Sequence, residues 1–343
     1  MMKHLFLCLC LLLSLTPLIA QKKEKKPKEE IPEGWQFGAG LGMDLSQLLQ
    51  INPKQGAGQN RLGLGGAANA FSNFKRGRRV WDNTVLWQFG VQRLGSGAVI
   101  LGSDDKVPFQ KTIDEFRLSS KYGYQIKEDG ELYYSTNATF LSQLTPTYQF
   151  PDLQSGNFIS DFADTGRAPL SKFLSPATAT LSLGIDYKPT QRLSIFVSPL
   201  ASKFIIVASD SIASRGVHGN QVSGEANALG IYPEFENVDA QIGATAQIQY
   251  KAALLADDRL VFNTTLQLYT NYLRNPQNVD IDWQNGLAFA ITQNFQLNLL
   301  VNIFYDDDIL VQITDYSQPN GVAGLGKRVS FTEQLTITYS RTF

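Results

Sequence analysis

The sequence predicts an all-β chain, a transmembrane antiparallel up-and-down β-barrel of about 12 strands. Three observations carry that prediction. Stretches of alternating apolar and polar residues recur from Trp35 to Phe343, with the period of two that a strand requires. The connections between these stretches alternate between short and long. No stretch beyond residue 20 is long and apolar enough for a transmembrane helix, which needs roughly 20 such residues. In hydrocarbon every backbone N–H and C=O must be paired, so a spanning sheet has to close on itself. A soluble sandwich would share the alternation but has no reason to sort its connections by length.

The N-terminus points the same way. Residues 1–20 read as a secretory signal peptide: Lys3 and His4 open it, Leu5 to Leu15 form the apolar stretch, and Leu18-Ile19-Ala20 offers a cleavage site before Gln21. Both cysteines, Cys8 and Cys10, fall inside it. The mature chain is therefore expected to lack disulfides, cysteine-bound metal and thiol catalysis. Residues 21–34, rich in Lys, Glu and Pro, are expected to be a disordered, charged periplasmic linker. Residues 35–343 remain for the barrel. Without Lys3, 29 basic residues face 31 acidic ones, a net charge of −2 that gives no sign of a nucleic-acid partner.

Taken in order, strand one carries Trp35, Phe37, Ala39, Leu41, Met43 and Leu45 on one parity, and strand two spans about Arg61 to Phe74. Strand three has Val85, Trp87, Phe89 and Val91; strand four has Phe116, Leu118, Tyr122 and Tyr124; strand five centres on Tyr134 to Leu144. Strand six runs from Ala177 to Tyr187 and strand seven from Leu193 to Pro199. The clearest is strand eight, where Ala240, Ile242, Ala244, Ala246, Ile248 and Tyr250 alternate with Gln, Gly, Thr and Lys. Strands nine, ten and eleven cover Leu260–Tyr272, Val279–Ile291 and Phe295–Tyr305. Strand twelve is Val329 to Phe343, an even count as single-chain bacterial barrels require.

Short turns are expected at Lys75–Arg79, Lys127–Glu131, Lys188–Arg192, Leu255–Arg259 and Thr292–Asn294. The longest loop is expected from about Ala208 to Val238. Barrels of this kind place short turns in the periplasm and long loops outside. Both termini then fall in the periplasm. Glu333, on the lipid parity, is expected at the outer rim, where a charge costs little.

The last strand resembles the closing strand of a bacterial outer-membrane barrel. In that fold the terminal aromatic, here Phe343 with Tyr339 on the same parity, belongs to the signal read by the barrel-assembly machinery. A second resemblance rests on Gly65-Gly66-Ala67-Ala68-Asn69, Trp81-Asp82-Asn83, Thr112-Ile113-Asp114, Ser119 to Tyr124, Phe173 to Pro176, Tyr187-Lys188-Pro189 and Pro199 to Lys203. In this order they resemble a family of Gram-negative outer-membrane proteins classed as a domain of unknown function. Members usually carry a Trp just before the Gly-Gly step, where this chain has Leu62 and Leu64. The resemblance implies the cell outer membrane and the barrel, with membrane lipid as a partner. It implies no activity.

The polar parity supplies the candidate site. Asp82, Arg93, Glu115, Arg117, Lys121, Lys251, Asp280 and Asp282 are expected to line the lumen. A ring of one sign would make an ion-selective constriction. Mixed signs fit either a wet channel for small polar solutes or internal salt bridges that fill the barrel. Gly38, Gly40, Gly42, Gly63, Gly65 and Ala67 should leave a patch of wall without side chains. Asp306-Asp307-Asp308 could hold a hard cation or be an acidic solvated loop. No cofactor, metal or catalytic residue is expected. A nucleophilic serine needs a base, and the mature chain has a single histidine, His218, in a loop. A passive channel is thus the leading expectation, and a filled structural or assembly component with an envelope partner the alternative.

Overall fold

Period-two alternation becomes a closed sheet in the computed structural model, which describes residues 32–52, 61–93, 109–128, 130–149, 157–158, 169–315, 317 and 322–342. The expected signal peptide and nearly all of the linker lie outside the described residues. Twelve long strands build the wall: β1 Gly34–Ile51, β2 Arg61–Arg76, β3 Arg79–Arg93, β4 Phe109–Gln125, β5 Leu132–Ser142, β6 Ala177–Thr190, β7 Leu193–Ile206, β8 Val238–Ala253, β9 Leu260–Asn271, β10 Asp280–Ala290, β11 Phe295–Tyr305 and β12 Ser330–Thr342. Each pairs antiparallel with its neighbours in the chain, and β12 returns to β1, with Gly42 opposite Ser340. Closure removes both sheet edges, which a membrane would leave without partners.

The twelve alternating stretches are the twelve strands, and several run further than the alternation. β3 begins at Arg79, six residues before Val85, and β1 continues to Ile51. The added lengths interrupt the apolar parity, as Asn83 does between Trp81 and Val85, so pattern alone did not reveal them.

Register fixes which residues face out. Leu45, Leu64 and Ile337 share a row, as do Leu287, Phe262 and Leu299. Side chains that a soluble protein would bury stand open on this face: Phe37 and Met43 at 71%, Leu64 at 66%. Such a belt is stable only against hydrocarbon. Two clusters of polar groups on it satisfy themselves internally. Trp81 Nε1 donates to Ser120 Oγ, which donates to Asn83 Oδ1 at 2.7 Å. Trp283 Nε1 donates to Thr264 Oγ1, which donates to Asn285 Oδ1 at 2.8 Å. Glu333 sits outward opposite Val301 and Leu49, towards the end of the barrel away from the short turns.

The short connections are where the pattern placed them, down to the two-residue Gly77-Arg78 turn, with Gly77 at φ +53°. The long ones carry structure that alternation did not announce. The 207–237 segment holds the short helix α1, Asp210–Ala213, and pairs Val222 with Phe235. The segment after β11 pairs Val311–Thr314 with Val322–Gly326. Beyond β5, Phe158 pairs with Gln110 of β4. These pairs are two to five residues long, too short for periodicity to register.

Candidate functional site: the lumen

The inward parity divides the lumen into a packed side and an open side. The packed side lies along β4 to β10. Lys121 reaches from β4 past β5 to Asp186 on β6, with Nζ 2.7 Å from Oδ2. Asp186 is fully buried; it also accepts from Ser194 Oγ at 2.6 Å and faces Lys188 at 3.5 Å. The Lys121 ammonium lies 4.9 Å from the ring centre of Phe196, itself fully buried. Higher up, Lys203 on β7 bridges Asp280 on β10 at 2.8 Å and Asp306 beyond β11 at 3.0 Å. Asp239 is buried among Gln241 Nε2, Gln221 Nε2 and the Arg274 guanidinium. A buried charge is tolerated only when paired in this way.

The open side is the β1–β3 wall. Here Gly38, Gly40 and Gly42 sit opposite Phe71, Asn69 and Ala67. The Phe71 ring lies flat over Gly38, where an added Cβ would come within 2.3 Å of its Cε1. The Asn69 amide lies over Gly40 in the same manner, 2.7 Å from an added Cβ. The glycines thus let neighbouring side chains lie along the wall instead of across the lumen. Asn69, Phe71 and Thr84 are exposed although they point into a closed barrel, Phe71 at 41%. Between the two sides stands the pair Arg117–Glu115, at 3.0 Å and partly exposed. Arg117 also interacts electrostatically with Asp282 of β10 across the lumen.

Of the eight residues expected to line the lumen, Asp82, Glu115, Arg117, Lys121, Lys251, Asp280 and Asp282 occupy inward register positions. Arg93 does not. It pairs with Phe109 at the end of β3, in the parity of Trp81 and Val91 and not of Asp82. Counting every second residue from Trp87 gives the same answer, so this was an error of parity. Asp186, Lys203 and Asp239 were not singled out. Asp186 and Asp239 sit on a polar parity with nothing local to mark their partners, whereas Lys203 shares the parity of Leu193 and Val197 and turns inward only because the register shifts between Val197 and Leu200. One tight ion pair lies on the outward parity. Lys111 and Asp114 meet at 3.1 Å with side chains 3% and 0% exposed, and Thr145 N and Oγ1 donate to Asp114. The 143–145 segment covers this pair where β4 extends beyond β5.

The acidic run is folded into the network. Carboxylate oxygens of Asp280, Asp306 and Asp307 come within 4.8 Å of one another. Lys203 sits between two of them, and Asn278 donates to Asp307 at 2.5 Å. Burial and the Asp306 charge push the neighbouring Asp308 carboxyl up from its usual range. His218 is buried in the 207–237 segment with Nε2 3.2 Å from the Leu170 carbonyl. Burial holds its pKa below the usual value, Arg215 adds to that, and the Leu170 carbonyl opposes it. The Tyr339 ring packs tilted against Phe295 on the outer face, with ring centres 5.2 Å apart, and Phe343 lies outside the described residues.

A family described as a protein of unknown function (DUF3078) matches residues 49–148. That match takes in the first four motifs of the resemblance read from the sequence; those from Phe173 onward lie beyond it. No curated relative matches the chain. Among solved structures, outer-membrane phospholipase A from Escherichia coli superposes with a TM-score of 0.40 and 11% identity, covering 93% of this chain and 94% of that one. The translocator domain of the autotransporter NalP from Neisseria meningitidis gives 0.36 at 9% identity, covering 91% and 90%. An outer-membrane channel from Pseudomonas putida gives 0.36 at 10%, covering 93% and 100%. These are likenesses of fold alone.

Proposed function

We propose that the protein is an integral outer-membrane channel through which small polar solutes pass passively. One observation carries the reading: Asn69, Phe71 and Thr84 point into a closed barrel yet remain exposed. A filled lumen would bury them as it buries Phe196 and Asp186 on the other side. Mixed signs at Arg117, Glu115 and Asp282 suit polar solutes better than one class of ion.

The rest of the reading follows from the barrel. An even strand count puts both termini at the short-turn end, periplasmic in barrels of this kind. Outer-membrane lipid and the barrel-assembly machinery are then its partners. No catalytic role is proposed. His218 is buried against the Leu170 carbonyl, which leaves it poorly disposed to serve a nucleophilic serine.

Recordings in planar bilayers test the channel. Purified protein should give discrete conductance steps, and Arg117→Gln should shift selectivity towards cations by leaving Glu115 and Asp282 unbalanced. No steps above background would sink the reading. The packed ion pairs along β4 to β10 favour the second reading, a structural or assembly component. A stoichiometric envelope partner co-purifying with a barrel that does not conduct would establish that instead.

A further inference from the structure

The outer wall beside the Gly77-Arg78 turn has features that conduction does not use. Arg76 and Arg79 are opposite one another across the β2–β3 turn, on the outward parity of Phe74 and Trp81. Both are exposed, and neither has an ion-pair partner among the described residues. Immediately inward of them along the strands stands an aromatic ridge. Trp35 lies 5.0 Å from Phe74 and 5.7 Å from Trp81 between ring centres.

Two apolar grooves lie on the membrane-facing wall, one beyond this ridge on the same strands and one beside it. One, of about 430 Å³, runs between Phe37 and Val85 over the small residues Ala39, Ala70 and Ser72. The other, of about 490 Å³, lies among Tyr122, Tyr124, Tyr134, Leu183 and Ile185, with Thr136 at its floor. Arg79 is directly opposite Tyr124, Tyr124 opposite Tyr134, and Tyr134 opposite Ile185. The row that starts at the arginine therefore leads into the second groove. Small residues among large aromatics make both grooves, and in a membrane such apolar concavities fill with acyl chain.

We propose that this wall binds one anionic phospholipid of the leaflet at the short-turn end, its phosphate between Arg76 and Arg79 and its chains in the two grooves. Guanidinium forks suit phosphate oxygens. The occupant is set by the conjunction of two cations without an ion-pair partner among the described residues and two apolar grooves; a free anion would need only the first and a neutral lipid only the second. The site depends on the spanning barrel and not on whether the barrel conducts. On the orientation proposed above, that leaflet is the periplasmic one.

Brominated-lipid quenching reads the site directly. A Trp87→Phe, Trp283→Phe variant leaves Trp35 and Trp81 as the fluorophores. It is folded into phosphatidylethanolamine vesicles containing a small fraction of phosphatidylglycerol, with the bromine on one lipid or the other. Brominated phosphatidylglycerol should quench more than its mole fraction predicts, with a preference of about fivefold per arginine. Arg76→Gln with Arg79→Gln should remove the preference, and Ala70→Phe should reduce quenching with both charges in place. Added inorganic phosphate should leave the preference largely intact, because it offers nothing to the grooves. Equal quenching by the two brominated lipids in the parent variant overturns the proposal whatever the substituted proteins do. So does a preference that survives loss of both arginines, or one that inorganic phosphate abolishes.

Discussion

Asp186 shows how much one residue can hold inside a barrel. It takes the ammonium of Lys121 from two strands away, the Ser194 hydroxyl and the more distant Lys188, with none of its side chain open to water. Removing one partner of a buried pair leaves the other unpaired, which costs about 3–5 kcal/mol. Asp186→Ala should therefore lower stability by about that much in urea titrations, and Lys121→Met with Asp186→Leu should recover much of the loss. Gly38 works by absence. With a Cβ in place the Phe71 ring must leave its rotamer, at about 0.5–1.5 kcal/mol, and swing into the lumen. Gly38→Ala should narrow the channel, read as a smaller conductance step from protein that still folds. Gly243 has a different task, because an added Cβ there would come within 1.8 Å of the Thr270 backbone oxygen. That close approach is to β9, while on its other side Gly243 sits at the register shift between β7 and β8.

Among the elements, the 207–237 segment carries the buried histidine. It folds back on itself through Val207 N to Asn237 O and through Asn220 Nδ2 to the carbonyls of Ala213 and Glu236. Ile205, Val207, Ile212 and Ala213 form a small core against Phe235. His218 is buried in this segment, and its folded-state pKa is depressed. A depressed histidine favours the fold while the ring is neutral. Its contribution is present above the unfolded value of about 6.5 and lost as pH falls through that value towards the folded one. Backbone amides of the segment should exchange faster at about pH 5 than at about pH 7.5 after correction for intrinsic rates. His218→Asn should flatten that difference, and barrel-strand amides should show none of it. The Lys111–Asp114 pair ties another element down. Asp114→Ala should expose the 143–145 segment to protease while leaving the barrel intact, since Thr145 and Leu144 both bond to that carboxylate.

At the scale of the whole molecule, two faces of one sheet meet two solvents. The outer face offers a broad apolar belt, in which Ser120 pairs with Asn83 and Thr264 with Asn285. The inner face is polar and divided between ion pairs and an open glycine wall. The protein should therefore fractionate with membranes and resist extraction by alkaline carbonate. Recovery in the soluble fraction would contradict the belt.

Legibility in the sequence follows the same division. All twelve strands and the positions of the short turns could be read from residue order, and so could the lipid-facing parity except where a register shift flips it, as between Val197 and Leu200. Period-two alternation and backbone pairing are local rules, and a chain obeys them without knowing how its sheet will close. The parity of Arg93 was legible too, by counting from Trp87. The meeting of Lys203 with Asp280 and Asp306 was not, since those partners lie 77 and 103 residues away. Nor were the paired hydrogen bonds of the long loops, whose ladders are too short to show a period. The sequence by itself determined which strands form the wall and, up to the register shifts, which side of them meets lipid. Only the tertiary structure decided which lumenal charges cancel and which wall stays open, because both depend on chords across a cylinder whose register and closure no single strand encodes.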